Sequence, residues 1–449
     1  MDPLHLVDLA FRYASSRGVD EVEVYAVWGE STKITMSRRG IESVVSGMSM
    51  AIGLRLIKDK RVSIVGGHVS TEDGVRKIVE IALNNLRACP RDDNWVSLAK
   101  ELGYTPVADV NDPALREQHE EHALNLASSL AELPNSVDDR AYLSSASITC
   151  GVGGKAILNS YGSKILSFER TGINMSFEVK IRTDRGEGSI YEHFAAPTLR
   201  ELDLDKLVTR AVNWAKLCAG GRPVETGRYD VVLAPKVFGS ITRILLVPAI
   251  SALNVQRGRS PLKNMVGQRV LSDKLTVVDD GAAPGLENTE PFDDEGVATR
   301  RKIVFERGVL ATYLYDSYTA YIEGKEPTGN AVRPGVSSPP SPSSTNLLVV
   351  PGTGSLEDLV KEVRRGVLVL NVIGEWLSNY VNGMLNFTIS AGVLIENGEL
   401  TKPISGSVVT GNIYELLSKH LEKLGEDVEN VMGVYAPSIL LRSVSIAGR

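Results

Sequence analysis

The sequence predicts an α+β protein, with a mixed helix and antiparallel-strand region followed by a β-rich C-terminal domain. Helical spacing and strand alternation are interleaved upstream of Ala219-Gly220-Gly221-Arg222-Pro223, and short β-rich segments with few helices follow it. The 449-residue length exceeds one ordinary hydrophobic core, so two or three domains are expected. Polar or Gly/Pro-rich stretches place them at 1–95, 105–220 and 221–449.

The elements follow in chain order. Leu4, Val7, Phe11 and Ala14 have helical spacing over 3–17, and Gly18 ends the run. Glu21-Val22-Glu23-Val24 alternates acidic and apolar residues, the pattern of a half-buried strand over 21–28. Lys33–Met36, Met50–Ile57 and Val62–Val65 read as further strands, the last two joined by a hairpin at Lys58-Asp59-Lys60. Ser70 or Thr71 can cap a helix that runs to about Arg87, with Glu72 and Asp73 complementing its dipole. Residues 91–112 are polar and irregular, as in a linker. A helix over 113–133 opens on Pro113, and strands follow at Ser144–Cys150, Lys164–Thr171 and Ile173–Ile181. After a helix over 199–218, short strands are predicted at Val231–Leu233, Thr276–Asp279, Ile303–Phe305, Leu347–Val350, Gly366–Val372 and Gly392–Ile395. Asn397-Gly398 signals a hairpin, and the prolines of 333–344 demand an extended loop there.

Composition narrows the function classes. Hydrophobic residues make up 43% and charged residues 23%, which is ordinary for a globular chain. A net charge of -6 without a Lys/Arg block argues against nucleic-acid binding. No apolar run approaches the ~20 residues of a membrane span. The start of the chain lacks the pattern of a signal peptide. Cys89, Cys150 and Cys218 form no CxxC pair, so a disulfide framework or structural zinc site is not expected and a reducing cytoplasm fits.

Most motifs with chemical potential fall short. His119-Glu120-Glu121-His122 puts its histidines three apart, not at the spacing of H-E-x-x-H, and a solvated helix face is the preferred reading. Gly151-Val152-Gly153-Gly154 and Gly281 to Gly285 are loops without the strand–GxGxxG–helix order of a dinucleotide site. Gly47-Met48-Ser49-Met50-Ala51 lacks the closing glycine of a nucleophile elbow, and Ser355 and Ser405 have no local partner of that type. The richest region runs from Asp279-Asp280-Gly281 through Phe292-Asp293-Asp294-Glu295-Gly296 and Thr299-Arg300-Arg301. It continues through Tyr315-Asp316-Ser317 and Thr328-Gly329-Asn330-Ala331-Val332-Arg333 to Ser343-Ser344-Thr345-Asn346 and Val350-Pro351-Gly352. Such carboxylates and arginines beside Thr and Asn turns can hold an extended backbone by charge-assisted hydrogen bonds. They can equally pin the turns of a β-rich domain through Asx-type bonds, which is the preferred physical reading.

That run closely resembles the TldD/PmbA family, whose PmbA branch is also called TldE. Asn159-Ser160-Tyr161-Gly162, Gly227 to Leu233, Ile395 to Glu399 and Gly411-Asn412 extend the resemblance over most of the chain. It implies a complex in which TldD subunits are zinc metallopeptidases, carrying an HExxxH helix and a C-terminal cysteine ligand. TldE subunits lack this set, and the pair digests unfolded peptides.

In this sequence the matching helix reads Gly239 to Pro248, with Arg243, Ile244 and Pro248 where His, Glu and His should stand. Arginine beside zinc would be repelled by roughly 8 kcal/mol at ~4 Å and an effective dielectric of ~20. Isoleucine is no base and proline offers no ligand atom. Pro248 should also kink or end its helix. No cysteine follows Cys218. The resemblance therefore implies a chain without zinc or a catalytic residue of its own, paired with a TldD-like zinc metallopeptidase subunit that does carry zinc. Asp294, Glu295, Arg300, Arg301, Asn330, Arg333 and Asn346 are the residues expected to organise the wall of its peptide channel. A non-enzymatic regulator, homodimeric when alone and acting on gyrase or a toxin–antitoxin pair, is the alternative.

Overall fold

The computed structural model of the chain describes residues 2–449. Helix α1 (Pro3–Ser15) starts at Asp2, whose carboxylate accepts the Leu4 N–H at 3.0 Å, and buries Leu6, Val7, Ala10 and Ala14. Strands β1 (Glu21–Ser37), β2 (Gly40–Lys58) and β3 (Arg61–His68) follow as an antiparallel meander. Asp59 and Lys60, both at positive φ, form the predicted tight turn between the last two. Helix α2 (Glu72–Leu86) is capped by Thr71, whose Oγ1 accepts the Gly74 N–H at 3.1 Å.

Helix α3 (Pro113–Val137) is capped by Asp112 and kinks at Gln118, where φ is -137° and ψ 36°. Its buried stripe runs through Leu115, His119, Ala123, Ala127 and Leu130, so His119 faces the protein interior. The solvated-face reading of His119-Glu120-Glu121-His122 is therefore corrected at His119, because steps of four residues keep it in register with the apolar stripe. Strands β4 (Ala141–Asn159), β5 (Leu166–Thr183) and β6 (Gly186–Ala196) and helix α4 (Leu204–Cys218) complete this half.

β1 pairs along nearly its whole length with β4, so one sheet in the order β3-β2-β1-β4-β5-β6 spans both upstream segments. α1 and α2 cover the β1–β3 end, while α3 and α4 cover β4, β5 and β6. The strands are far longer than the alternation predicts. β1 runs on through Gly29 to Thr32, and β2 begins ten residues before the predicted Met50. Side chains 42–49 of β2 are exposed on both faces, so backbone pairing extends the strand where no burial pattern marks it.

The segment 91–112 is irregular but stitched down rather than free. Trp95, Leu98 and Val110 are buried, and Gly103 and Thr105 donate backbone hydrogen bonds to Gly296 and Pro291. Downstream lies an 11-stranded sheet. Within it β7 (Gly227–Leu233) pairs in parallel with Arg365–Ile373 and antiparallel with Val434–Ala447. Those two strands are linked through Met384–Glu396 and Val408–Asn412, so the strands close into a ring. Helix α5 (Pro235–Ala249) follows β7 and is buried almost all round, packing on Leu421–Val431 and Val434–Ala447. Pro248 lies in its last turn, so the helix ends one residue later with little disruption. The hairpin at Asn397-Gly398 forms with both residues at positive φ, as its sequence requires.

The Pro/Ser-rich stretch is a two-stranded ribbon, Ala331–Val332 with Ser341–Pro342, whose loop presses onto the upstream sheet. Gly53 and Gly66, opposite each other on β2 and β3, leave room for the backbone of Val336. A Cβ on Gly53 would lie 2.0 Å from the Val336 carbonyl oxygen. Gly53→Ala is expected to destabilise the chain by about 1–3 kcal/mol in urea unfolding. Gly67→Ala, whose nearest new neighbour is Ile78 Cδ1 at 3.8 Å, should change it far less.

Candidate functional site: a buried ionic junction beside a cleft

The turn Phe292–Ala298 drives its acidic residues against the upstream sheet. Glu295 is 0% exposed and Arg55, from the middle of β2, is 2% exposed. The Arg55 guanidinium donates to Glu295 Oε1 at 2.8 Å and to Glu23 Oε2 at 2.7 Å. Glu23 also receives the guanidinium of Arg333, itself 8% exposed, so two arginines and two glutamates from distant parts of the chain share one buried junction. Beside it Asp294 accepts from Lys155 Nζ at 2.9 Å, from Tyr25 Oη at 3.0 Å and from the Arg333 N–H at 2.8 Å. Lys155 also pairs with Glu290.

The charges are set by competition between burial and partners. Burial opposes the positive charge of Arg55, but Glu23 and Glu295 outweigh it and hold its pKa above the usual range. Burial likewise opposes ionisation of Asp294 and Glu295, yet Lys155 and Arg55 respectively keep both carboxyls below their ordinary values. Asp293 lacks such a cation. Burial and then the Glu295 charge push it up to about 7, although it accepts backbone N–H groups from Glu295, Val297 and Ala331. Asp316 is pushed to about 7 by the same two causes.

A second knot holds the loops that carry the familiar motifs. Asp279 is fully buried and accepts from Lys302 Nζ at 3.0 Å, Asn330 Nδ2 at 2.7 Å, and Thr345 N and Oγ1 at 2.7 and 2.8 Å. Asn346, also fully buried, donates to the Asp280 carbonyl at 3.0 Å and accepts the Asn288 N–H at 2.9 Å. Gly329 sits at φ 72°, and a Cβ there would meet the Ala298 carbonyl at 2.6 Å. The seven sequence-predicted residues thus separate. Asp294, Glu295, Asn330, Arg333 and Asn346 are bonded into this frame. Arg300 and Arg301 are exposed, Arg300 donating to the Pro327 carbonyl at 3.0 Å and Arg301 Nε lying 3.9 Å from Asp280.

A cleft of about 740 Å³ opens between β1, β4 and β5 on one side and the downstream loops on the other. Of the seven residues only Asp294 lines it; Lys155, Arg170, Arg243 and Glu287 do so as well. Lys155 and Arg170 escaped sequence reading, since a single cation in a strand resembles any solvent-facing residue. The signal for Arg55 was only its position between Leu54 and Leu56. Arg243 reaches the cleft from α5, where Ile244 and Pro248 accompany it. This donor set does not fit a zinc ion, because it offers a cation, a hydrocarbon and a proline ring. Among the described residues no group of three or more His, Cys, Asp or Glu is placed to hold a metal.

Family models settle the ancestry. The PmbA/TldA metallopeptidase C-terminal domain matches residues 226–448, and domain 1 of the same metallopeptidases matches residues 22–86. The chain belongs to the PmbA/TldD family. An uncharacterised protein of Methanocaldococcus jannaschii is 29% identical over 94% of this chain and 95% of its own length. Metalloprotease PmbA of Escherichia coli O157:H7 is 26% identical over 99% and 95%. The crystal structure of TldE from Thermococcus kodakarensis superposes with a TM-score of 0.92 at 25% identity, covering 99% of this chain and 100% of that one. The α+β architecture with a β-rich C-terminal domain is that of the PmbA/TldD fold, and among the described residues no helix is long and apolar enough to cross a membrane.

Two measurements check the junction. Arg55→Met should cost about 3–5 kcal/mol in urea unfolding, because Glu23 and Glu295 lose a buried counter-charge, whereas exposed Arg300→Ala should cost under about 0.5 kcal/mol. Asp316 also caps a short helix by accepting the Thr319 N–H at 2.9 Å, a bond that asparagine can keep. A carboxyl with a raised folded-state pKa binds its proton more tightly folded than unfolded. Stability should therefore decline as pH rises from about 4, the unfolded value, towards 7. Asp316→Asn should flatten that decline in a Tm-versus-pH series, leaving it more stable than the parent at pH 8.

Proposed function

We propose that this chain is the non-catalytic subunit of a heterodimeric TldD/TldE-type zinc peptidase that degrades or processes unfolded peptides. The observation that carries this reading is the donor set of α5. Arg243, Ile244 and Pro248 provide neither a metal ligand nor a general base at the helix where the family resemblance puts both. A PmbA/TldD chain lacking them acts through a zinc-bearing TldD-like partner and contributes assembly and substrate handling. The metalloprotease names of its relatives support a place in proteolysis.

Two surfaces support a partner. The edge of β2 from Ile41 to Ser49 pairs with β1 on one side only, since β3 joins it from Ala51 onward. Ile41, Val44, Val45 and Met48 along it are exposed, Met48 to 81%. An open apolar edge of this length invites strand pairing or aggregation unless it is covered. Trp376 and Leu377 form a second exposed apolar pair downstream. Within the complex, Asp294, Glu295, Arg300, Arg301, Asn330, Arg333 and Asn346 organise the channel wall, mostly as the frame that holds its loops. The peptide itself runs along the cleft surface.

Co-expression with an HExxxH-bearing homologue from the same source tests the reading. A stable complex with about one zinc per pair is expected, cleaving an unfolded peptide that this chain alone leaves intact. Stoichiometric zinc and cleavage by the isolated chain would sink it. Met48→Glu together with Val45→Lys should abolish co-purification while leaving the Tm of the isolated chain nearly unchanged; persistence of the complex would remove the β2 edge from the assembly.

A further inference from the structure

Arg243 stands apart from the other cations of the cleft. Lys155 is neutralised by Glu290 and Asp294, and Arg170 donates to the Glu287 carbonyl and lies 3.9 Å from Glu290. Among the described residues, Arg243 makes no side-chain hydrogen bond and no ion pair, and its Nε is buried without a partner. Glu287 is the acid that acts on it, but that carboxylate already accepts Asn430 Nδ2 at 2.8 Å. Burial disfavours the Arg243 charge and lowers its pKa, with Glu287 compensating only in part. The Nε lacks an acceptor, while the terminal nitrogens reach the open cleft and are free to bond an oxygen that a ligand brings.

We propose that Arg243 anchors the carboxylate of an extended peptide in this cleft. The inference rests on the peptide-handling reading above and names the group by which a peptide is held. The planar guanidinium fork matches a carboxylate through two parallel N–H···O bonds. Charge balance selects a single negative charge over a polyanion. Glu30, Glu287, Glu290 and Asp294 all line the same cleft and Lys155 is already paired, so phosphate clusters or nucleic acid would meet more acid than free cation there. The volume of about 740 Å³ lies within the usual range of ligand clefts, enough for a few extended residues. Val27, Phe168, Ile173 and Met432 supply an apolar lining without selecting a sequence. Gly172 on β5 leaves open space beside it, since a Cβ there would meet nothing within 4 Å. The carboxylate can be a peptide C-terminus or an Asp or Glu side chain, and the two sources are separable.

The test uses the full chain and three fluorophore-labelled five-residue peptides read by anisotropy. One has a free C-terminal carboxylate, one is its C-terminal amide, and one is the amide with a single internal Asp. The free acid should bind at least about tenfold more tightly than the plain amide. The Asp-bearing amide recovers the tighter binding only if side-chain carboxylates are also accepted. Arg243→Gln should erase the acid-over-amide preference without lowering Tm, and Gly172→Phe should weaken all three peptides together by filling the cleft. Equal binding of acid and amide to the parent chain, a preference that survives Arg243→Gln, or no peptide binding at all would each overturn the proposal. Assembly with a zinc-bearing homologue is read separately. A chain that pairs and supports cleavage without any acid preference loses only this inference. One that prefers the acid but pairs with nothing keeps it and loses the heterodimer.

Discussion

Arg55 and Arg333 bring two halves of the chain into register through one carboxylate, that of Glu23. Glu23 sits on β1, Arg55 on β2, and Arg333 follows the ribbon strand Ala331–Val332, so the junction ties the long upstream sheet to the downstream loops. Burying such charges carries a heavy desolvation penalty, and mutual pairing offsets it only with good geometry and no orphaned atom. The geometry is tight, except that Arg55 Nε has no partner among the described residues. A junction of this kind specifies one docking pose more than it adds stability, because any slip strands a charge in a dry interior.

The cleft exists because of that pose. Its floor is the face of β1, β4 and β5, and its opposite wall is made of loops held by the Asp279 knot and the Asp293–Glu295 turn. Most motif residues build the frame, with Asp294 and a few neighbours reaching the cleft, while Lys155 and Arg170 of its surface lie outside the motif run. Residues 91–112 reinforce the arrangement, running between the two halves with Trp95 Nε1 bonded to Glu21 at 2.9 Å. Glu21 and Glu23 are the acids of the alternating pattern on β1. They are buried instead of solvated, because Trp95 and Tyr161 bond Glu21 while Arg55 and the downstream Arg333 bond Glu23.

The α+β class, the cap of α2 and both hairpin turns were legible in the sequence, since each turn and cap depends on residues adjacent in the chain. Pro113 at the start of α3, Thr71 before Glu72 and Asn397-Gly398 act within one turn of backbone. Strand lengths were not legible where β2 is exposed on both faces, for backbone pairing leaves no alternation behind. His119 was misplaced because its neighbours Glu120 and Glu121 are polar, whereas its partners Leu115 and Ala123 lie a full helical step away. Of the candidate site, the motif positions could be named, but their division into buried frame and exposed rim could not. Asn330 and Thr345 meet only on Asp279, residues removed from both.

By itself the sequence determined the donor chemistry of α5: Arg243, Ile244 and Pro248 cannot coordinate a metal in any fold, since no arrangement gives arginine, isoleucine or proline side chains a suitable lone pair. It also determined the family, through motif residues that must sit in tight turns. Tertiary structure alone decided which charges are paired. Glu23 meets Arg333, Lys155 meets Asp294, and Arg243 forms no ion pair among the described residues, because electrostatic pairing is a matter of ångströms between atoms that the chain itself leaves far apart.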